Sequence, residues 1–336
     1  MRHRVALIGL GNIARAHLCG YLSAENADRV EVVAGADISE EARQRFAEFG
    51  RTYADYRELL ERERPDVVSI CTWPSLHPEM VESAAAVGVK GILCEKPMAV
   101  DLGGADRMVS AARAAHAVLV VGHQRRLLPR YTRAREMIAR GDIGEVVQVS
   151  AICAGDLLSD GTHAVDLLRF LTGDVPAVWV MGNVDLREIR MRYGHPVEMG
   201  AFAAIHFANG VRGTLETGMC ARPGYQRLLV YGSEGQIEIG GDNPVAGEPP
   251  LRARVRGRSE WVVPSLPHVE AFAREIALLL DAVERGTPHP LDGVSARATQ
   301  EILMAVFASA LQHTRVDLPL DVTEHPLIAW RNGRKP

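Results

Sequence analysis

No stretch of this chain approaches the ~20 consecutive apolar residues that a helix needs to cross a bilayer, and Lys and Arg do not outnumber the acidic residues, the formal net charge being −4. The first absence argues against a membrane protein. The second removes the electrostatic case for nucleic acid or an anionic lipid surface as a partner. Cysteine is scarce. The five, Cys19, Cys71, Cys94, Cys153 and Cys220, are odd in number and widely spaced, with no Cys-x-x-Cys and no Cys/His spacing that suits zinc. Reduced thiols, mostly in the core, are expected, and no metal. There is no internal repeat, no low-complexity tract, and no apolar signal segment behind Met1-Arg2-His3-Arg4, which runs directly into a strand-like run. Together these absences point to a cytoplasmic protein whose partner is a small molecule.

What is present begins with length. The 336 residues, 47% hydrophobic, exceed the ~250–300 at which one core usually splits, so two domains are expected. The apolar run Val5 to Ile8 suits a fully covered parallel strand and breaks at Gly9. In Gly9-x-Gly11-x-x-Ala14, Gly9 lets the chain reverse, Gly11 lacks a Cβ so that backbone N–H groups can approach a pyrophosphate, and Ala14 lets the next helix pack on the strand. The N-terminus of that helix, at Asn12 and Ile13, would hold the phosphates. A second apolar run, Val30 to Ala36, ends in Asp37, 26 residues beyond Gly11. A carboxylate there accepts from the adenosine 2′-hydroxyl and repels a 2′-phosphate, which favours NAD over NADP. The alternative for Asp37 is a helix-start residue ahead of Ser39, Glu40 and Glu41.

Farther along, Ser39 to Phe49 carries helix start and stop signals, a short strand is expected near Thr52, and Asp55-Tyr56-Arg57-Glu58 has capping-box spacing. The run Asp66 to Thr72 reads as a fourth strand. Its end meets Trp73-Pro74-Ser75-Leu76-His77, at the edge where ligands sit in open α/β sheets. A fifth strand, Val89 to Cys94, delivers Glu95-Lys96-Pro97 to the same edge; Asp101 caps a helix to about His116, and Ala117 to Gly122 is a sixth strand. Residues 1–122 are therefore expected to form a Rossmann domain, an α/β doubly wound parallel sheet. Residues 123–336 are expected to form an α+β domain with a mainly antiparallel open sheet, because one helix, Pro129 to Arg140, gives way to strands joined by turns. Asn209-Gly210 suits a two-residue type I′ hairpin between the runs Ala201–Phe207 and Arg212–Met219. Leu228–Tyr231 and Gln236–Ile239 read as another strand pair, and Gly240 to Pro250 as a loop. Two amphipathic helices, Val269 to Arg285 and Val294 to His313, follow, with Glu275, Asp281 and Glu284 expected on the polar face opposite Phe272, Ile276, Leu279 and Leu280.

Gly9-x-Gly11-x-x-Ala14, Cys71-Thr72-Trp73-Pro74-Ser75-Leu76-His77, Glu95-Lys96-Pro97, Gly122-His123-Gln124-Arg125-Arg126, Gly141-Asp142-Ile143-Gly144 and Gly161-x-His163-x-x-Asp166 stand in this order along the chain. In that order and spacing they resemble the glucose-fructose oxidoreductase / inositol dehydrogenase / rhizopine-catabolism (Gfo/Idh/MocA) family over nearly the whole chain. The resemblance implies a Rossmann domain and an α/β domain whose open sheet often forms a homodimer or homotetramer interface. It implies an enzyme that oxidises a secondary hydroxyl of a sugar or cyclitol, or reduces the matching ketone, with NAD(H) or NADP(H). Cofactor contacts are implied for Gly9, Gly11, Asn12, Ile13, Ala14, Asp37, Cys71, Thr72, Trp73, His77, Glu95, Lys96 and Gln124.

Lys96 inherits contact with both cofactor and substrate, since an amine in a partly desolvated cleft beside a positive ring can trade a proton with a substrate oxygen near neutrality. Taken alone, it is a surface lysine after a strand. His163 falls in the first turn of a helix beginning near Asp160, where the dipole favours a neutral ring able to act as a base; a lone histidine is otherwise structural. Many members carry Asp four residues before that His, where this chain has Ser159, with Asp160 three before. Asp160 then orients His163 or binds substrate, or is only an N-cap. Asp166 orients His163 or faces solvent. Arg125 and Arg126 enter the family's active-site cleft, where a guanidinium suits a phosphate, a carboxylate or a pair of sugar hydroxyls. Arg130, Arg133 and Arg135 read as a solvated helix face, and His268 as a further substrate contact. The leading expectation is an NAD-dependent dehydrogenase or ketoreductase for a sugar, amino sugar or cyclitol. Relatives also include enzymes that use transient oxidation for elimination or glycosidic cleavage, and non-catalytic sensors of NAD or sugar.

Overall fold

Val5, Ala6 and Leu7 have no solvent exposure and Ile8 almost none, as a strand covered on both faces requires. In the computed structural model, which describes residues 2–218, 226–242 and 247–333, they belong to β1 (His3–Ile8). With it run β2 (Val30–Ala36), β3 (Arg51–Tyr53), β4 (Val67–Ile70), β5 (Gly91–Cys94) and β6 (Val118–Val121). The six form one sheet in the order β3-β2-β1-β4-β5-β6, and every pairing is parallel. The order reverses at β1/β4, so the ligand crevice lies outside the C-terminal ends of these strands. Between them come α1 (Asn12–Tyr21), α2 (Glu40–Phe46), α3 (Tyr56–Glu63), α4 (His77–Ala86) and α5 (Leu102–Ala114). Local chemistry sets three of the starts: Ser39 Oγ accepts the Ala42 N–H, Asp55 that of Arg57, and Asp101 that of Gly104 at 2.7 Å.

The next elements are α6 (Pro129–Ala139), β7 (Val146–Cys153), α7 (Gly161–Leu171), β8 (Ala177–Val184), β9 (Arg190–Arg192), β10 (His195–Val197), β11 (Ala201–Phe207), β12 (Arg212–Thr217), β13 (Gln226–Gly232), β14 (Gln236–Gly240) and β15 (Leu251–Arg254). Two helices, α8 (Ala271–Arg285) and α9 (Gly293–Gln312), then β16 (Val316–Asp317) and α10 (Pro326–Arg331) end the chain. An eight-stranded sheet runs β15-β14-β13-β7-β12-β11-β8-β16, antiparallel except where β12 pairs with β7. One expectation fails locally. The β11–β12 connection is not a two-residue type I′ loop: Phe207 N–H reaches the Val211 carbonyl, and Gly210 has φ +82° while Asn209 is not in the left-handed region. A turn closed by one left-handed glycine satisfies the hairpin, and Asn209 is used instead to reach the Thr172 carbonyl at 3.2 Å. Cys220 and the end of the expected run to Met219 lie outside the described residues. Cys71, Cys94 and Cys153 are buried and Cys19 is exposed.

The chain divides into two compact units, Met1–Gln124 with Glu270–Arg297, and Arg125–Val269 with Ala298–Pro336. The expected single boundary after residue 122 therefore misplaces α8. It belongs to the first unit because two glycines make room for it: a Cβ on Gly20 would stand 2.8 Å from Ile276 Cδ1, and one on Gly91 would stand 2.8 Å from Val283 Cγ2. The chain beyond α8 then adds to the sheet edge, with Val121 N–H donating to the Leu291 carbonyl at 3.0 Å. Glu275 is also corrected. At three residues from Phe272 and four from Leu279 it sits within the apolar stripe rather than opposite it, and it has no solvent exposure. Asp281 and Glu284 do face outward, paired with Arg29. Among the described residues no helix is long and apolar enough to cross a membrane.

Candidate functional site

In the first unit the glycine turn has the geometry of a dinucleotide cradle. Gly9 has φ +82°, and a Cβ there would stand 2.7 Å from the Cys71 carbonyl oxygen; both conformation and space demand glycine. At Gly11 the opposite holds, since a Cβ would meet nothing within 4 Å. The space it leaves adjoins the start of α1, whose N-cap is Gly11 and which has no side-chain cap. Uncapped N–H groups at the positive end of a helix, without a Cβ in the way, suit a pyrophosphate. Ala14, on the first turn, is buried, while Asn12 is exposed and Ile13 half-buried. A cleft of about 680 Å³ opens beside the turn, with Gly9, Gly11, Asp37, Ile38, Thr72 and Trp73 among its lining.

Asp37 is not the start of α2; that cap is Ser39. Its Oδ2 accepts the Leu10 N–H at 2.7 Å and its Oδ1 the Ser39 N–H at 2.8 Å, so one carboxylate ties the end of β2 to the glycine turn. Ile38, which sequence reasoning passed over, is 93% exposed in the lining of the cleft. An aliphatic side chain held there suits the flat face of a base, and its only sequence signal was an apolar residue directly after Asp37. Trp73 is exposed in the same cleft, and Thr72 Oγ1 donates to Met80 Sδ. Gln124 Oε1 is buried without a hydrogen-bond partner among the described residues, an acceptor that a ligand amide would satisfy.

Two expected cofactor contacts point inward instead. The His77 ring is fully buried, with Nδ1 3.1 Å from the Pro97 carbonyl and Nε2 3.0 Å from that of Thr72; it pins two crevice loops to each other. Glu95 is buried too, 2.9 Å from His17 Nε2. Cys71 is buried at the end of β4, and Lys96 follows β5 as expected, half-buried. These residues fit a dinucleotide: turn, uncapped helix, carboxylate and orphan acceptor all belong to the C-terminal side of one parallel sheet.

In the second unit α7 starts at Gly161 with Asp160 as its N-cap residue, and all its residues are buried. His163 therefore sits in the first turn, as expected. Asp166 does not face solvent: it is buried, and Arg126 Nε and Nη2 grip its two oxygens at 2.6 and 2.7 Å. Arg126, expected at the substrate, is 2% exposed, and its remaining Nη1 donates to Asp174 at 2.8 Å. Its donors are committed to carboxylates, which makes it structural. Arg125 stays accessible, with Nη2 2.8 Å from Asp242 and a contact to Gln226. Arg130 pairs with Asp242, Arg133 with Glu136 and Arg135 with Asp174. His268 is exposed ahead of α8.

Asp160 is engaged by a residue absent from the sequence reading. Arg192, on β9, lies 2.5 Å from Asp160 Oδ2 and 2.6 Å from Asp156 Oδ2. Asp156 Oδ1 in turn accepts the Ser159 N–H at 2.7 Å, shaping the turn that leads into α7. Beneath it Glu198 Oε1 accepts the Leu157 N–H at 2.6 Å, while Oε2 has no partner among the described residues. Burial pushes the Glu198 carboxyl up to about 7, the Leu157 N–H opposing it. Nothing local in the sequence marks this cluster beyond Gly155-Asp156 at a strand end. Because Glu198 holds its proton more tightly folded than unfolded, its contribution to stability is complete below the ordinary carboxylate range and is lost as pH rises through about 7. Glu198→Gln should leave the urea midpoint nearly unchanged at about pH 3.5 and raise it at about pH 8; an equal shift at both would show that the folded carboxyl titrates normally. Among the described residues no group of three or more His, Cys, Asp or Glu could hold a metal.

Comparison with known proteins agrees with this geometry. The family model described as an oxidoreductase family with an NAD-binding Rossmann fold matches residues 3–123, and the Gfo/Idh/MocA C-terminal domain matches residues 131–238. The myo-inositol 2-dehydrogenase of Thermotoga maritima is 28% identical over 256 residues, covering 70% of this chain and 74% of that protein. The inositol 2-dehydrogenase of Rhizobium meliloti is 28% identical over 343 residues, covering 93% of this chain and 99% of that protein. The solved structure of the WlbA dehydrogenase from Bordetella pertussis, in complex with NADH and UDP-GlcNAcA, has a TM-score of 0.80 at 22% identity, over 95% of this chain and 99% of that one.

Proposed function

Because this chain belongs to the Gfo/Idh/MocA family of NAD-binding oxidoreductases, we propose that it moves a hydride between nicotinamide and a secondary hydroxyl or ketone carbon of a sugar, amino sugar or cyclitol. The observation that carries this reading is the open Gly11 turn at the uncapped start of α1, in a chain whose relatives include two inositol dehydrogenases. NAD, when bound, supplies the hydride acceptor. The chain's own residues do the rest. The α1 N–H groups hold the phosphates, Asp37 accepts from the adenosine ribose, Ile38 and Trp73 cover apolar surface, and Gln124 offers its amide oxygen. Lys96 exchanges the hydroxyl proton, His163 takes part as a base, and Asp160, steadied by Arg192, and Arg125 bind substrate polar groups.

The test is a panel of sugars, amino sugars, cyclitols and sugar nucleotides, followed by absorbance of reduced nicotinamide with NAD and with NADP. Turnover with a polyol or its ketone supports the reading, and inertness across the panel in both directions overturns it. Asp37→Ser should lower kcat/KM with NAD about tenfold, by losing a charge-assisted hydrogen bond, and lower it less with NADP. An equal loss with both would remove Asp37 from cofactor choice.

Self-association through the large sheet and a cytoplasmic location belong to the same reading. Met181 on β8 and Phe202 on β11 are 57% and 56% exposed, and Ala204, the register partner of Met181, shares their face. Such a patch on a sheet suits a second copy of the chain. Buried Cys71 and Cys94 thiols suit a reducing compartment.

A further inference from the structure

The first unit buries a charge pair that none of these steps uses. Glu95 is 5% exposed and His17 not at all; Glu95 Oε1 lies 2.9 Å from His17 Nε2, and Oε2 accepts the backbone N–H of Lys96 at 3.1 Å. His17 is on α1, the helix whose uncapped N-terminus is assigned above to the cofactor phosphates. Its Nδ1 is 3.1 Å from Ser69 Oγ on β4, which is 2.9 Å from the Tyr21 hydroxyl, and Phe272 of α8 packs on the ring. At the end of β6, Gly122 leaves room for the carboxylate, since a Cβ there would stand 3.1 Å from Glu95 Oε1. Five elements thus converge on two side chains, and one of those side chains holds the backbone of Lys96.

The surroundings decide the protonation state. Burial works against a charged His17, yet the buried Glu95 carboxylate 2.9 Å away favours the protonated ring and holds it above the ordinary imidazole range. Burial likewise works against an ionised Glu95, yet His17 and Lys96 hold it below the usual carboxylate range. The other titratable neighbours are neutral at pH 7. Burial raises Tyr21, Cys71 and Cys94 and lowers His77. Glu275, buried on α8 with both oxygens lacking a partner among the described residues, is pushed well up by burial and by the charge of Glu95. Among these groups the charges at neutrality are Glu95 and His17.

We propose that the buried His17–Glu95 ion pair positions Lys96 and screens its amine from the Glu95 charge, coupling the phosphate-holding helix to the proton-transfer step. The inference rests on the role given to Lys96 above. Without His17 the carboxylate keeps Lys96 as its counter-ion, and the amine holds its proton to higher pH.

Nitrogen NMR of the full-length protein without cofactor tests the pair directly. The His17 ring should be doubly protonated at neutral pH in the native chain and neutral in Glu95→Gln; a neutral His17 in the native chain overturns the proposal whatever Lys96 does. In kinetics, His17→Gln should move the acid limb of the pH–kcat profile up by about one unit with little change in KM for NAD. A uniform fall in kcat with an unmoved limb would mean that His17 is merely structural and would overturn it. Glu275→Gln should leave the profile in place, because that carboxyl is already neutral; a shifted limb there assigns the counter-ion role to Glu275 and overturns it too. Loss of turnover in Lys96→Met with an unmoved His17→Gln limb removes this inference alone. Turnover that survives Lys96→Met removes the catalytic reading as well.

Discussion

Replacing Lys96 with methionine should lower kcat by about 10²–10⁴-fold, the usual weight of a positioned acid or base, while NAD affinity changes little. The separation follows from where the cofactor is gripped. The turn at Gly9 and Gly11, the α1 N-terminus and Asp37 come from β1, α1 and the end of β2, whereas Lys96 comes from the end of β5. Methionine keeps the length and apolar stem of lysine and removes only the exchangeable proton and the charge. A kcat within tenfold of the native enzyme, or a matching loss of NAD affinity, would sink the assignment, because an interaction made only in the transition state must lower kcat and kcat/KM together.

The second large effect is on stability. Arg126→Met should destabilise the protein by about 3–5 kcal/mol, the range for removing one partner of a buried ion pair. Asp166 is 2% exposed and would lose both guanidinium contacts, with Asp174 losing a third. Thr299 Oγ1, 3.3 Å from Asp166 Oδ1, is too weak a donor to replace a guanidinium. The double variant Arg126→Met, Asp166→Leu should recover much of the loss, because a buried apolar pair no longer strands a charge. Urea midpoints read both. A loss under about 1 kcal/mol in the single variant would show that water or another side chain reaches Asp166, against its burial.

The parts of the site that were legible share one property, that their meaning is local. Gly9, Gly11 and Ala14 signal a turn whose geometry depends on residues within a few positions, and Asp37 follows a strand whose end the sequence marks. His163 is in the first turn of α7 for the same reason. What sequence reasoning misjudged depends on partners far along the chain. Arg126 meets Asp166 40 residues on, Arg192 reaches back 36 to Asp156, and His17 meets Glu95 across 78. Arg126 reads as a substrate-binding guanidinium until Asp166 and Asp174 are seen to take its donors. The Asn209-Gly210 loop erred differently: two turn geometries accept the same dipeptide, and register chose between them.

By itself, then, the order of residues determined the alternating strands and helices of the first unit, its glycine turn, and the stations of Lys96 and His163, because each follows from backbone sterics and apolar periodicity read over a few residues. Tertiary structure alone decided that α8 returns to the first unit, that Glu275 is enclosed, and that Glu95 faces His17 rather than the crevice. Burial and charge pairing are properties of space. A carboxylate carries no mark in sequence of whether the group that comes to lie beside it will be water, a cation or a hydrocarbon.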